Sequence, residues 1–232
     1  MNMGVDEIYL VEPRVRVDDE EVIRYAAHAK RWLAWVRVVG SLGEALSGVC
    51  VSVCTSARHS GWDALRTAVE LDSLPWILAH YESAAIVFGR ESVGLTRSEI
   101  GECDILATIP ANPEYPTLNL AQSVAVTLYE VSKARILQGR LGYRAASCRQ
   151  LESLRRLIGR LAGYAEEQRR EGAAAALRHI FFRAAPSYGE ASQAYRLLKA
   201  VLRLLEATGK GEGGGFEAPA HDKPGPGGRG GP

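Results

Sequence analysis

Apolar and polar positions change rhythm several times along the chain. Residues 7–11 (EIYLV) form an apolar run closed by Glu12-Pro13, the pattern of a buried strand. From Asp18 to Val36 the spacing turns helical, opened by the acidic cluster Asp18-Asp19-Glu20-Glu21, which complements a helix N-terminus. Further apolar runs stand at 36–39 (VRVV), 49–54 (VCVSVC), 84–88 (AAIVF) and 104–109 (DILATI), with helical or turn stretches between them. Strands alternating with helices predict an α/β fold, an open and mainly parallel sheet with helices on both faces. In such sheets ligands bind beyond the carboxyl ends of the strands. Three strand ends lead into loops of small, polar or glycine residues: Thr55-Ser56-Ala57-Arg58, Gly89 to Leu95, and Pro110 to Asn119. The third runs into a long helix on which Ala121, Val124, Ala125, Leu128 and Val131 share one apolar stripe.

Beyond this block the pattern changes. Gln138-Gly139-Arg140-Leu141-Gly142 reads as the start of a linker over 138–146, followed by helical stretches at about 147–170, 172–184 and 187–207. The first sets Leu151, Leu154, Ile158 and Leu161 against Arg149, Arg156 and Arg160. The last repeats the plan, with Leu198, Val201 and Leu205 against Arg196, Lys199 and Arg203. Residues 209–232 hold 10 glycines and 4 prolines and too little apolar content to fold, so a disordered tail is expected there.

Charge sharpens this division. The net charge of +1 conceals 11 basic and 18 acidic side chains in residues 1–134, against 14 and 6 in residues 135–208. An acidic block is followed by a basic one, which makes nucleic acid a partner to consider for the second. Arginine outnumbers lysine 23 to 5, a bias suited to multidentate phosphate contacts and equally produced by a GC-rich genome. No stretch approaches the roughly 18 to 20 apolar residues of a membrane span, and no basic run leads into an apolar signal segment at the start. Cys50, Cys54, Cys103 and Cys148 form no CxxC pair and have no histidine at zinc-site spacing, so buried thiols in a reducing cytoplasm, and no metal, are expected.

The chain contains neither GxGxxG nor GxxxxGK[ST], so neither the usual dinucleotide fold nor a P-loop is supported. A single glycine turn after a strand is usually structural. The three loops in order, preceded by Ile8-Tyr9-Leu10-Val11-Glu12-Pro13 led in by Asn2-Met3-Gly4, are far more specific: Thr55-Ser56-Ala57-Arg58, then Phe88-Gly89-Arg90-Glu91 with Gly94-Leu95-Thr96, then Ile109-Pro110 through Asn112-Pro113-Glu114-Tyr115-Pro116-Thr117-Leu118-Asn119-Leu120-Ala121. Over about residues 2–137 this series resembles the SPOUT methyltransferases, and within them the TrmJ-like tRNA ribose 2′-O-methyltransferases.

The resemblance implies a C-terminal deep trefoil knot in residues 1–137, followed by a small helical extension over 147–208. It implies S-adenosyl-L-methionine as cofactor, held by Thr55, Ser56, Ala57, Gly89, Glu91, Ile109, Thr117, Leu118 and Asn119. It further implies a homodimer and transfer of a methyl group to a ribose 2′-hydroxyl of tRNA, at cytidine or uridine 32 of the anticodon loop. Arg58 and Asn119 are the residues to expect at the reaction, Arg58 contacting phosphate or ribose. Tyr115 is expected either to stack on an RNA base or to pack under its proline neighbours, and Glu91 either to cap a turn or to orient Arg90. His59 reads as solvated surface. The arginine faces of the last helices, in a block of net +8, are expected on the RNA backbone together with Arg58.

Family members open with a strand and an Asn-x-Gly-x-x-x-Arg motif that this sequence lacks ahead of Asn2. Two expectations follow: a start codon upstream, adding about thirty residues for a βα unit, or a chain that keeps the donor pocket without catalysis. The first is preferred, since loss of a strand exposes apolar surface and unpaired backbone. Methylation of ribosomal RNA, or RNA and donor binding without turnover, are the rival readings.

Overall fold

A computed structural model of the chain describes residues 3–137 and 142–208. Asn2, most of the expected linker start (138–141) and the glycine- and proline-rich segment at 209–232 lie outside the described residues. The strands are β1 (Ile8–Val11), β2 (Val36–Val39), β3 (Val51–Thr55), β4 (Ala68–Glu70), β5 (Ala84–Val87) and β6 (Ile105–Thr108). The helices are α1 (Glu20–Ala26), α2 (Leu42–Ala45), α3 (Leu74–Leu78), α4 (Arg97–Glu102), α5 (Leu120–Ser132), α6 (Ala134–Leu137), α7 (Cys148–Ala162), α8 (Arg170–Arg183) and α9 (Tyr188–Thr208).

Every strand pairing is parallel, as the alternation of strands and helices requires. Strand β3 is central in the order β4-β6-β3-β5, and its Cys54 lies opposite Val87 of β5 and Leu106 of β6. Val51 through Cys54 are all buried, the signature of a parallel strand covered on both faces. Strands β1 and β2 form a separate pair. The single open sheet expected from the pattern is therefore divided, because among the described residues no strand joins β1 to the free edge of β5. The short β4 (AVE) carries too few residues to stand out in the sequence.

Three helical expectations are corrected. The stretch from Asp18 is α-helical only over Glu20–Ala26, where the Asp19 carboxylate accepts from Glu21 N–H (2.9 Å); Ala27–Trp35 continue as tighter 3-10 turns. No residue of either segment is buried, so no packing stabilises the α form over the full length. On α5 the apolar stripe is only partly covered: Ala121 and Ala125 are exposed, Val124, Leu128 and Val131 half-buried with Val131 against the core, and Thr127 is the buried residue. On α9 Ala191 and Leu202 are buried and Leu198 and Leu205 half-buried, which leaves Val201 exposed.

The helical extension packs onto the sheet. Gln150 Nε2 donates to Tyr188 O (3.2 Å) and Ser192 Oγ (2.9 Å), and Arg160 pairs with Glu206, so α7 and α9 pack side by side and parallel, with α8 as the return connection. Leu151, Phe182 and Ala191 join Val51, Val53 and Ile105 in one apolar core. At the seam Asp104 is fully buried. It accepts from Ser52 N–H and Oγ (2.9 Å each) and from Arg155 Nε (2.9 Å) and Nη2 (2.7 Å). Burial acts to lower the Arg155 pKa, but the contacts with Asp104 and Glu152 together outweigh it and hold the guanidinium pKa above its ordinary value.

The cysteines are not separate thiols. Cys50 is paired with Cys148 across the seam and Cys54 with Cys103 beside it, with Cα–Cα distances of 4.5 and 5.9 Å. Partners 98 and 49 residues apart come together only through the fold, which is why spacing alone did not reveal them.

Candidate functional site

The three expected loops meet at the carboxyl ends of β3, β5 and β6 and enclose a cavity of about 250 Å³. The first loop enters through Thr55-Ser56-Ala57-Arg58. Ser56 N–H extends the pairing to Ala107 O (3.0 Å), and the Thr55 hydroxyl donates to Val87 O (3.1 Å), so both adjacent strand ends are tied to this corner. The Ser56 hydroxyl accepts from Arg58 N–H (3.0 Å) and turns the chain. Both hydroxyls thus build the loop, leaving backbone groups and the Arg58 side chain as its contribution to the wall.

The second loop is a tight hairpin. Arg90 N–H donates to Gly94 O (3.2 Å) and Gly94 N–H returns to Arg90 O (2.8 Å), with Gly94 at φ +70°. A Cβ on Gly89 would collide with the backbone of Gly94 and Leu95, so the close approach that requires glycine here is to its own chain. Arg90 forms a two-pronged pair with Glu99 (3.1 and 2.9 Å), which also closes the capping box with Thr96 at the start of α4. The Arg90 contact holds the Glu99 carboxyl below the usual carboxylate range.

The third loop brings Ile109, Thr117 and Leu118 to the wall. Asn119 divides its side chain between two tasks: Oδ1 accepts from Ala121 N–H (2.8 Å) and caps α5, while Nδ2 donates to Glu91 Oε1 (3.0 Å). Glu91 is therefore held by Asn119 rather than by Arg90, contrary to one of the roles expected for it. All the expected cofactor residues except Asn119 line the cavity, and Asn119 reaches it through Glu91. Tyr115 is 77% exposed, so it does not pack under its proline neighbours. Arg66 also lines the cavity, a position the motifs had not singled out.

On the extension, Arg149, Arg156, Arg160, Arg196, Lys199 and Arg203 are all exposed. Arg156 pairs with Glu152 (2.7 Å) and Arg160 with Glu206, whereas the other four have no ion-pair partner among the described residues. Elsewhere, ligand atoms of Cys50, Glu82 and Cys148 lie within 4.8 Å of one another, the two sulfurs being paired together. Among the described residues no helix is long and apolar enough to cross a membrane.

A parallel α/β sheet with a three-loop cavity at its strand ends defines an α/β protein with a small-molecule site in the place such folds provide one. Residues 1–129 match the model of the SpoU rRNA Methylase family, and the chain belongs to that family. The tRNA (cytidine/uridine-2′-O-)-methyltransferase TrmJ of Salmonella typhimurium is 32% identical over 229 residues, covering 90% of this chain and 89% of the relative. TrmJ of Pectobacterium atrosepticum is 33% identical over 224 residues, covering 89% and 88%. Among solved structures, TrmJ from Z. mobilis ZM4 superposes with a TM-score of 0.63 at 26% identity, covering 88% of this chain and 89% of that one. A probable methylase family protein from Haemophilus influenzae Rd KW20 gives 0.55 at 30% identity, covering 89% and 88%.

Proposed function

We propose that the chain transfers a methyl group from S-adenosyl-L-methionine to a ribose 2′-hydroxyl of tRNA, at a cytidine or uridine at position 32 of the anticodon loop. The observation that carries this is the coincidence of the cavity with the three loops of a chain about one-third identical, along nine-tenths of its length, to tRNA ribose methyltransferases.

The cavity fits the donor by chemistry. Its wall combines strand-end backbone with Ile109, Leu95 and Leu118, which suits an adenine edge and the carbon chain beside the sulfur, and a held carboxylate at Glu91, which suits the positive sulfonium. When bound, the donor supplies an electrophilic methyl group on a sulfonium. The residues of the chain do the rest: Asn119 fixes Glu91, Gly89 allows the hairpin to close the wall, and Arg58 holds a phosphate or ribose at the mouth. Rate then comes mainly from alignment of the 2′-oxygen with the methyl carbon.

In this reading residues 1–137 form the transfer unit, knotted as a deep trefoil, and the Glu91–Asn119 clasp ties its second loop to its third. Residues 147–208 grip the tRNA backbone through Arg149, Arg156, Arg160, Arg196, Lys199 and Arg203. The open apolar side of α5, with Val126 and Tyr129 exposed, supports assembly as a homodimer, and light scattering of Val126→Glu tests it through loss of the dimer. Transfer of labelled methyl from S-adenosyl-L-methionine to unmodified tRNA, with mass spectrometry of the product, tests the reaction. Label at a ribose of the anticodon loop is the expected result; label only on ribosomal RNA, or donor binding without transfer, overturns it.

A further inference from the structure

The loop between β3 and β4 holds a residue that the cavity does not use. Its two ends, Arg58 and Arg66, line the cavity. Between them the chain is closed on itself: Ser60 N–H donates to Arg66 O (2.8 Å), Arg66 Nη1 donates to Arg58 O (3.3 Å), and Trp62 N–H donates to Ser60 Oγ (3.2 Å). Asp63 accepts from Leu65 N–H (3.1 Å) and is tied to Arg97 of α4 (2.5 Å), while Leu65 is fully buried beneath. A loop fixed at so many points holds Trp62 in place, yet its indole is 81% exposed.

An indole carries a large apolar face whose exposure is unfavourable unless a ligand covers it. Its neighbours narrow the ligand. Arg58 and Arg66 have no ion-pair partner among the described residues, whereas Arg90 and Arg97 nearby are neutralised by Glu99 and Asp63. An exposed indole on the same short, tied loop as two arginines without ion-pair partners matches a single-stranded RNA segment, whose bases stack and whose phosphates need cations. A protein partner would have to desolvate both guanidiniums.

We propose that Trp62 is the stacking platform for a nucleobase of the substrate RNA beside the ribose presented at the cavity, with Arg58 and Arg66 on the adjoining phosphates. This assignment rests on the RNA methyl-transfer reading and names the group that holds the substrate strand outside the donor cavity.

The test measures binding of a fluorescently labelled, unmodified tRNA transcript to the full chain by anisotropy. It compares Trp62→Ala with Trp62→Phe and follows S-adenosyl-L-methionine affinity by calorimetry and association state by light scattering. Loss of one stacked base predicts about tenfold weaker RNA binding in Trp62→Ala, with Trp62→Phe recovering most of it. Donor affinity and association state stay as in the unsubstituted chain. Wild-type RNA affinity in Trp62→Ala overturns the proposal. So does a loss that Trp62→Phe does not repair, or one that follows donor binding or a change of association state. RNA binding sensitive to Trp62 without methyl transfer would uphold this assignment while removing the enzymatic reading.

Discussion

Asn119 shows how much a single amide settles. Its oxygen caps α5 and its nitrogen holds Glu91, so substitutions separate the two tasks. Asn119→Asp keeps a good cap and sets two carboxylates against each other, so the melting temperature should stay near that of the parent while donor affinity measured by calorimetry falls. Asn119→Ala should lose both, with a stability decrease of about 1 kcal/mol in denaturant titration. His179 on α8 carries a different signal. It is 1% exposed, and neither ring nitrogen has a hydrogen-bond partner among the described residues. Burial, reinforced by Arg183 and Arg178 and opposed by Asp104, lowers its pKa to about 4. The unfolded chain takes up this proton near pH 6.5, before the folded one does. Stability is therefore full above that pH and declines as pH falls toward 4, by about 3 kcal/mol in total. His179→Leu should flatten the pH dependence of unfolding over that interval; an equally steep curve would assign the acid sensitivity to other groups.

At the scale of elements, β3 concentrates the molecule. It pairs on both sides, ends in the first site loop and carries Cys54, with Cys50 one residue ahead of it. Its apolar run was legible because a strand buried on both faces carries Val51, Val53 and Cys54 close together, and the small Ser52 between them is buried by bonding to Asp104. The 18–36 stretch misled for the opposite reason: helical spacing is present, but no surface receives its apolar face. Helix α9 was half legible. Its exposed Arg196, Lys199 and Arg203 agree with the charge pattern, whereas its buried face rotates to meet α7. Replacing those three cations with glutamine should weaken tRNA binding and make the logarithmic salt dependence shallower, by about 0.9 for each phosphate no longer neutralised. Filter binding across a salt series measures it, and an unchanged slope would place the RNA elsewhere.

For the whole molecule, the seam between sheet and extension is the decisive feature. Asp104 sits at 0% exposure with Arg155 of α7 on both its oxygens, and Arg155 also reaches Cys50 O (3.1 Å). Removing one member of a buried pair strands the other, so Asp104→Ala should cost about 3–5 kcal/mol in equilibrium unfolding, far more than removal of an exposed pair such as Arg16–Asp18. Equal costs for the two would mean that the extension is held by apolar packing alone. The sequence by itself determined the parallel α/β class, the three loops at the strand ends and the opposition of acidic and basic blocks. These are local: periodicity, turn chemistry and charge are properties of neighbouring residues. Only the tertiary structure decided that Asn119 holds Glu91, that Arg155 meets Asp104, that the cysteines pair and that Trp62 stands uncovered on the loop whose ends reach the cavity. Each of these depends on groups brought together, or left apart, by packing of distant segments, and pattern along the chain carries no record of that distance.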